Sequence, residues 1–484
     1  MPRVSPRALR HLSPSAFLAP LTLALALATT FASGGAAAQN LPPAVDAALA
    51  RAKLPRDAVA MLVVDVDGLH PPRVAWRQQV SMNPASVMKL VTTYAALDIL
   101  GPAFSWRTPV FVDGPVRNGV LEGNLYIQGQ GDPKLVMERA WLLLRRVQGL
   151  GIRRITGDIV LDRSAFDTPE VDASAFDGEG LRPYNVAPDA LLVNFKSVAM
   201  TFIPNRAAQV AQVAFDPPLA GVAMQPTVPL SAGECGDWTT TLVPEVADPA
   251  RLAFSGSYPA ACGEKTWAVA YADPRTFGAR AIAGLWSELG NQLLGQVRDG
   301  RVPADLKPLF EVSSPPLAEV VRDINKFSNN VMAQQLFLTL GLQQKKRGTL
   351  DASRTAMRQW WNDRIGTGEG QPVFDNGSGL SREERVTAGE LAKMLQVAWR
   401  SPVMSELMSS LPAAGVDGTM RRRAPRSGAA HLKTGTLRDA SALAGFVDGA
   451  SGRRYVLVAI ANDGNAAAAR PAFDALVNWA TQDN

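Results

Sequence analysis

Residues 86–102, SVMKLVTTYAALDILGP, are the stretch from which the fold can be read. Its apolar side chains recur at the three- and four-residue spacing of a helix, at Val87, Leu90, Val91, Tyr94 and Leu97. Gly101 and Pro102 then supply the glycine and the breaker that commonly end a helix. The pattern predicts a helix that starts at Ser86.

Strand-like segments stand before this helix and at the far end of the chain. Ala58–Asp67 and Arg73–Gln78 precede it, with turn-forming residues between them. Three more strands are predicted at His431–Leu437, Ser441–Asp448 and Arg454–Asn462, followed by a helix at about 466–480. Strands at both ends with helices beside them predict one α+β domain that the two ends of the chain build together.

The middle of the chain has a different sequence pattern. From 105 to 273, short alternating segments such as Gly119–Gln128 are punctuated by Gly, Pro and Asp, which predicts a β-rich region. Helical patterns resume at Arg275–Leu294, Leu317–Leu340, Asp351–Arg364 and Ala388–Arg400, the last behind a Thr387/Glu390 capping box. We therefore expect the α+β domain at 39–104 and 274–484, interrupted at 105–273 by one or two small domains, the second at about 196–268.

The N-terminus has the plan of an export signal. Three arginines, Arg3, Arg7 and Arg10, precede an apolar run at about 16–31, and small residues end at Ala38. This order predicts a cleaved secretory signal at 1–38, with an uncleaved anchor helix as the alternative. We expect a secreted or periplasmic protein with at most peripheral membrane association.

Composition excludes several classes of protein. The formal charge of +5 falls to nearly zero without the signal, which leaves 46 basic and 44 acidic residues. Such an even mixture does not indicate a nucleic-acid partner. With 47% hydrophobic and 19% charged residues, the chain is not disordered. Its length predicts two or three domains.

Two cysteines and two histidines remain after the signal. Cys235 and Cys262 are an even pair in an exported chain, which predicts a disulfide, with free buried thiols as the alternative. His70 and His431 stand far apart, and the sequence has no HExxH motif or Cys/His cluster. We therefore expect neither a zinc site nor another cofactor.

Ser86-Val87-Met88-Lys89 opens the first predicted helix. Positions three apart share a helix face, so the Ser86 hydroxyl and the Lys89 amine can come within hydrogen-bond reach. A serine is a weak nucleophile until a base takes its proton, and a lysine serves as that base when burial and nearby positive charge depress its pKa. Alone, S-x-x-K occurs in many proteins without such a role.

Ser328-Asn329-Asn330 lies between two helical periods. A serine there can relay a proton to a leaving amine, and an asparagine can hold an amide through a donor and an acceptor. Serine and asparagine are also favoured helix caps. Taken alone, the motif is better explained as a cap.

Lys433-Thr434-Gly435-Thr436 falls in a predicted strand. Lysine and threonine offer a cation and a hydroxyl to a carboxylate, and glycine lets a ligand backbone approach the strand closely. The arrangement suits an extended peptide that pairs with an edge strand. An ordinary glycine turn is the alternative for this motif alone.

In this order, S-x-x-K, S-x-N and K-T-G form the signature of β-lactamases and penicillin-binding proteins. The sequence resembles these penicillin-recognising serine enzymes. The resemblance implies a penicillin-binding transpeptidase/β-lactamase-like α+β domain, an antiparallel sheet flanked by helices, which β-rich inserted domains interrupt.

The spacing of the motifs narrows the resemblance. Between Ser86 and Ser328 lie 241 residues, far more than a compact β-lactamase places there. Large insertions at this point are typical of low-molecular-mass class C penicillin-binding proteins, the D-alanyl-D-alanine carboxypeptidase/endopeptidases of the penicillin-binding protein 4 type. Further similar stretches are QGDP at 130–133, LDRSAF at 161–166, DNGSGLSR at 375–382, AGVDGT at 414–419 and LAGF at 443–446.

The resemblance assigns roles to the motif residues. It implies that Ser86 is the nucleophile, Lys89 the general base and Ser328 a proton relay, while Asn330 holds the substrate. In the K-T-G strand, the terminal carboxylate is expected at Lys433 and Thr434, beside Gly435. The backbone N–H groups of Ser86 and Thr436 are expected to form the oxyanion hole.

Four more residues are expected to select the side chain of the substrate peptide: Asp162, Phe166, Arg382 and Arg438. Relatives carry Gln where this chain has Arg438. A cation at this position repels an amine and favours a carboxylate, so the preference of this chain is open.

The leading hypothesis is a serine DD-peptidase of peptidoglycan. It would cleave D-Ala-D-Ala and D-centred crosslinks of stem peptides through an acyl-serine, and β-lactam antibiotics would acylate it as covalent inhibitors. The sequence does not decide whether the protein forms a homodimer. The alternatives are a serine β-lactamase, for which no residue marks the water-activating group, and an inactive cell-wall or penicillin-binding protein, against which the intact motifs argue.

Overall fold

The computed structural model of the chain describes residues 40–246, 248–368, 370–423 and 428–483. The predicted signal at 1–38 lies outside the described residues. Within these ranges the α-helices are α1 (Pro43–Arg51), α2 (Met88–Leu100), α3 (Met137–Gly149), α4 (Pro274–Glu288), α5 (Leu317–Phe327), α6 (Asn330–Lys345), α7 (Leu350–Arg364), α8 (Ala388–Trp399), α9 (Met404–Ser410) and α10 (Arg470–Gln482). In the same ranges, no helix has both the length and the apolar character needed to cross a membrane.

The strands in the described ranges are β1 (Val59–Asp65), β2 (Val74–Trp76), β3 (Ser81–Met82), β4 (Arg107–Val112), β5 (Val116–Arg117), β6 (Val120–Leu121), β7 (Leu125–Gln128), β8 (Arg154–Ile155), β9 (Ile159–Asp162), β10 (Ser197–Asn205), β11 (Val210–Asp216), β12 (Ala223–Met224), β13 (Thr227–Ser231), β14 (Leu242–Glu245), β15 (Arg251–Gly256), β16 (Tyr258–Pro259), β17 (Lys265–Ala270), β18 (Gln292–Leu293), β19 (Val297–Asp299), β20 (Phe310–Ser313), β21 (Val386–Thr387), β22 (Ala430–Thr436), β23 (Ala440–Asp448) and β24 (Arg454–Asn462).

One antiparallel sheet combines the two ends of the chain. Its strand order is β2-β1-β24-β23-β22. Val59 of β1 stands opposite Ala461 of β24, and Lys433 of β22 stands opposite Ala444 of β23. The predicted α+β fold class is confirmed, and strands from both ends of the chain share this sheet. The K-T-G strand β22 is an edge of this sheet, as expected from its motif.

Helices cover both faces of this sheet because its strands are apolar on both sides. On one face, Leu62 and Val458 belong to a core shared with α2, α5, α6 and α8. On the other face, Met61 and Leu457 share a second core with α1 and α10. Helix α2 is buried on all sides, from Met88 through Leu97. It is the central helix of the domain.

The β-rich region forms its own sheets and core. One sheet has the order β19-β9-β7-β4-β20, and a smaller one has the order β18-β8-β6-β5. Helix α3, which the sequence pattern did not reveal, buries Leu143, Leu144 and Val147 in their core. Helix α4 ends at Glu288, before the predicted Leu294, because Gly290 turns the chain at a φ of +74°.

This module ends later than the predicted residue 273. Helix α4 packs in its core, and β20 pairs with β4. The chain then returns to where it left, since the Leu317 N–H donates to Phe104 O at 2.7 Å and the Ala318 N–H to Pro102 O at 3.1 Å. These contacts place residues up to Ser313 with the β-rich module.

A further five-stranded sheet, β16-β13-β11-β10-β17, stands beside the three strands β12-β15-β14. Cys235 and Cys262 form the predicted disulfide here, with their Cα atoms 4.6 Å apart. The rings of Phe202, Trp238 and Tyr258 pack on one another, with centroids 5.3–5.4 Å apart, in the hydrophobic core to which both cysteines also belong. The disulfide and this aromatic cluster stabilise the small sheet together.

Candidate active site

Ser86 lies in a short 3-10 turn, Ala85–Val87, directly before α2. Ala85 has a φ of +46°, a left-handed conformation that costs energy for a residue with a side chain. Asn83 supports the turn, because its Oδ1 accepts from the Ala85 N–H at 2.8 Å and its Nδ2 donates to Ser381 O at 2.9 Å. The position of Ser86 is thus fixed by the backbone around it and by Asn83.

Lys89 is fully buried beneath Ser86. Its Nζ donates to Ser86 Oγ at 2.9 Å, to Asn330 Oδ1 at 2.6 Å and to the carbonyl oxygen of Ser378. Burial lowers the pKa of Lys89 to about 7, although the negative charge of Glu384 acts in the opposite direction. A large share of this amine is therefore neutral near pH 7 and able to take a proton from Ser86.

The S-x-N motif lies at the junction of α5 and α6. Ser328 ends α5 in a left-handed conformation with a φ of +57°. Asn329 is the helix cap that the motif alone predicts, because its Oδ1 accepts from the Met332 N–H at 3.0 Å. Asn330 instead contacts Lys89 through Oδ1 and donates from Nδ2 to Tyr184 O at 3.2 Å. The motif is at once a helix cap and a wall of the site.

Lys433 is the second buried lysine of the site. Its Nζ donates to Ser328 Oγ at 2.8 Å and to Thr434 O at 2.7 Å. Burial and the nearby charge of Lys89 lower its pKa well below the ordinary value. The next residue, Thr434, shares a hydrogen bond with Thr419 across 2.8 Å between their hydroxyl oxygens. Each serine of the site thus has its own lysine.

A cavity of about 700 Å³ opens above these groups. Six of the residues expected at the site line it: Ser86, Ser328, Asn330, Thr436, Arg382 and Arg438. Six others line it that the sequence patterns did not indicate: Phe176, Asp177, Tyr184, Phe327, Leu380 and Leu437. The cavity is large enough for a peptide, with apolar walls and both signs of charge.

The charged groups of the cavity are partly paired. Arg382 Nη1 lies 2.7 Å from Asp439 Oδ1, and its guanidinium stacks 4.6 Å from the ring centroid of Phe176. Asp177 accepts from the Tyr184 hydroxyl at 3.0 Å and from Asn185 Nδ2 at 2.8 Å. Burial opposes the ionised form, but the Glu179 N–H and these two donors together outweigh it and lower the pKa of Asp177.

Asp162 and Phe166, the other two expected specificity residues, do not line this cavity. Asp162 is 2% exposed, and it accepts from the N–H groups of Ser164 and Val302 at 2.9 and 3.0 Å and from Gln128. Phe166 is 8% exposed and packs against Ala190 and Leu338. A turn acceptor and an aromatic core residue are what their surroundings indicate.

The acid that lines the cavity is Asp177, on the irregular segment that holds Phe176 and Tyr184. The one signal that could have found it is composition. FDGEG at 176–180 is a polar, glycine-containing loop with aromatic residues on both sides. No periodicity indicates where such a loop folds.

The fold and the paired serines and lysines define a serine enzyme of the penicillin-recognising class. Residues 41–483 match the D-Ala-D-Ala carboxypeptidase 3 (S13) family, and the chain belongs to that family. It is thus a serine-type D-Ala-D-Ala carboxypeptidase and a penicillin-binding peptidoglycan hydrolase.

Curated relatives are similar to this chain in sequence, and solved structures are similar to it in fold. The chain is 29% identical to a D-alanyl-D-alanine carboxypeptidase from Actinomadura sp. (strain R39), over 79% of this chain and 73% of that protein. Its fold is similar to that of penicillin binding protein 4 from Haemophilus influenzae, with a TM-score of 0.70, 23% identity, and 90% and 99% of the two chains covered. The complex of that protein with a β-lactam gives a TM-score of 0.63 and 23% identity, covering 84% and 90%.

Proposed function

We propose that Ser86 cleaves the D-Ala-D-Ala bond of stem peptides, and D-centred crosslinks between them, through an acyl-serine. One observation carries this proposal. Ser86 and Ser328 line the same cavity, and each is hydrogen-bonded to its own buried lysine, Lys89 and Lys433. One pair is suited to activate a nucleophile and the other to protonate a leaving amine.

In the acylation step, Ser86 Oγ attacks the carbonyl carbon of the scissile amide while its proton passes to Lys89. The oxyanion forms next to the backbone N–H groups of Ser86 and Thr436. The C–N bond then breaks, and a proton reaches the departing amine through Ser328, which Lys433 holds. An ester on Ser86 and a free D-amino acid, or a released peptide strand, are the products.

In the deacylation step, water attacks the ester carbonyl and releases the shortened peptide. A proton returns to Ser86 Oγ, and the free enzyme is restored. The edge strand β22 supports this substrate class, because an extended peptide can add beside its last residues with its carboxylate at Lys433 and Thr434, beyond the part that already bonds to Pro412 and Ala414. In the crosslinked substrate the same carbonyl is attacked, and only the leaving amine differs.

A β-lactam carries an amide and a carboxylate in a similar arrangement, so we infer that it acylates Ser86 as well. The three motifs include no dedicated water-activating group, so the ester with the antibiotic is expected to persist. We place this chemistry outside the cytoplasmic membrane, where peptidoglycan lies, in line with the predicted signal.

Two measurements test the proposal. Mass spectrometry of muropeptides before and after incubation should show loss of one D-alanine from pentapeptides and conversion of crosslinked dimers to monomers. A fluorescent penicillin should label the wild-type protein covalently and stay bound. Rapid turnover of the label would indicate a β-lactamase, and absence of both labelling and cleavage would indicate an inactive binding protein.

A further inference from the structure

Glu384 is a fully buried carboxylate behind the site, outside the three motifs. Its Oε1 accepts from the backbone N–H groups of Gly377 at 2.7 Å, Asn376 at 3.2 Å and Asp375 at 3.3 Å. Its Oε2 accepts from the Gly379 N–H at 2.8 Å. One side chain thus accepts from four of the five N–H groups of the 375–379 loop, while the Ser378 N–H donates to Asn376 Oδ1 at 3.0 Å.

This loop touches the catalytic groups directly. The Ser378 carbonyl oxygen accepts from Lys89 Nζ, and the Gly377 carbonyl oxygen accepts from Thr92 Oγ1 at 2.6 Å. Gly379 has a φ of +77° and packs against the backbone of Ala85 and Ser86, where a side chain would collide. The loop therefore contacts both the base and the nucleophile turn.

We propose that Glu384 is a positioning residue for Lys89, which it acts on through the loop it holds and through its own charge. The inference rests on the proposed role of Lys89 as the general base. Two acceptor oxygens serve four N–H groups here. An amide in the same place would offer one acceptor, and its NH₂ group would face a donor.

Lys89 and Glu384 have other ionisable groups nearby. The charge of Glu384 acts on Lys89, and the charge of Lys89 acts on the buried Lys433. Glu384 faces the neighbouring carboxylate of Asp375, which Arg354 pairs with. Burial raises the pKa of Glu384 to about 7, against the effect of its N–H donors. The negative charge of Glu384 therefore favours the charged form of Lys89.

The test is the pH dependence of acylation by a fluorescent penicillin in the full-length protein. Glu384→Gln removes the charge and one acceptor, so we expect acylation to slow roughly 10- to 100-fold because the base is displaced. Without the negative charge, the pKa of Lys89 should fall further, so the rise of the remaining rate should move to lower pH. A residue that only supports the fold would not move this profile.

Two further variants complete the design. Glu383→Gln removes the same charge from the exposed neighbouring residue and should leave rate and profile unchanged. Glu384→Asp keeps the charge on a shorter side chain, so its rate should fall while its profile stays close to wild type. A Glu384→Gln protein with a wild-type profile, in a preparation whose wild type labels normally, overturns this inference alone. A wild type that does not label contradicts the proposed function instead.

Discussion

A Cβ atom added to Gly435 would lie 2.9 Å from the backbone nitrogen of Ser86 and 2.7 Å from the carbonyl oxygen of Pro84. The K-T-G strand and the nucleophile turn therefore meet backbone to backbone. The glycine at 435 is required by this contact between two parts of the protein, in addition to any approach of a ligand. The third motif is thereby linked to the first.

Gly435→Ala is expected to separate the strand from the nucleophile turn. The collision is with backbone atoms, which cannot swing away as a side chain can, so we expect a loss of about 1–3 kcal/mol in unfolding free energy. Acylation should slow as well, because Thr436 and Ser86 would no longer stand in register. Thermal unfolding and penicillin labelling measure the two effects. Gly464→Ala, where a Cβ meets no atom within 4 Å, is the control.

Ser86→Ala should abolish both penicillin labelling and peptide cleavage and leave the fold intact. One hydroxyl at the edge of the cavity is removed, and no core cavity forms, so the unfolding free energy should change by no more than about 0.5 kcal/mol. Intact-mass spectrometry after exposure to penicillin is the direct measurement. A covalent adduct on the folded variant would show that another residue is the nucleophile.

The rate of acylation should rise with pH through the pKa of Lys89. Only the neutral amine accepts the Ser86 proton, so a pKa of about 7 predicts a tenfold lower rate for each pH unit below it and a plateau above. An unshifted lysine, with a pKa of 10.5, would place the rise far into the alkaline range. Rates of penicillin labelling between about pH 5 and 9 distinguish the two.

Lys89→Ala should lose about 10²–10⁴-fold in the same rate at neutral pH, since an unassisted hydroxyl is hardly ionised there. Its residual rate should no longer show the rise near pH 7. A variant that labels at a near-normal rate would point to a different base. The buried Lys433 offers no substitute, because its amine contacts Ser328 and not Ser86.

The parts of the fold that were predictable are those with local periodicity. Helix α2, the end strands and the order of the three motifs follow from spacing and family resemblance. The sequence pattern did not indicate helix α3, because the segments around it alternate like strands and only one face of the helix is apolar. Residues up to Ser313 pack with the β-rich module through long-range strand pairs, which no local pattern reveals.

The site shows the same limit. Ser86 and Lys89 are one helical turn apart, so their contact could be foreseen from the sequence. Asp177 lines the cavity from an irregular loop. Glu384 is a buried acid in a polar stretch of sequence that is typical of a surface segment. Asp162 is an acidic residue of the kind that binds a substrate amine, but its carboxylate already accepts from the N–H groups of Ser164 and Val302. Tertiary packing decides these three positions.

Asp162 and Asp177 should therefore respond differently to the same substitution. Asp162→Asn places an amide among N–H donors in a buried turn, so it should cost about 1–3 kcal/mol of unfolding free energy and affect all substrates alike. Asp177→Asn should leave thermal stability nearly unchanged. For a peptide with a free side-chain amine, the activation free energy that corresponds to kcat/KM should rise by about 0.2–1 kcal/mol relative to the acetylated peptide. Equal losses for both peptides would exclude Asp177 as a contact of that amine.

We expect Arg438 to influence which charge the cavity prefers on the substrate side chain. It is exposed on the cavity wall, whereas the charge of Arg382 is already paired with Asp439. A carboxylate on the substrate side chain would gain from Arg438, and an amine would be repelled. Because the site is open to water, the gain is about 0.2–1 kcal/mol, up to roughly fivefold in kcat/KM.

Arg438→Gln should remove this gain for a carboxylate peptide, improve the amine peptide slightly, and leave acylation by an uncharged-side-chain penicillin unchanged. The same difference should shrink in high salt, since exposed charges are screened. Arg421→Gln, an equal loss of charge on an exposed residue outside the cavity lining, is the matched control. If both variants shift the two peptides equally, net charge steers the substrate and Arg438 makes no contact with it.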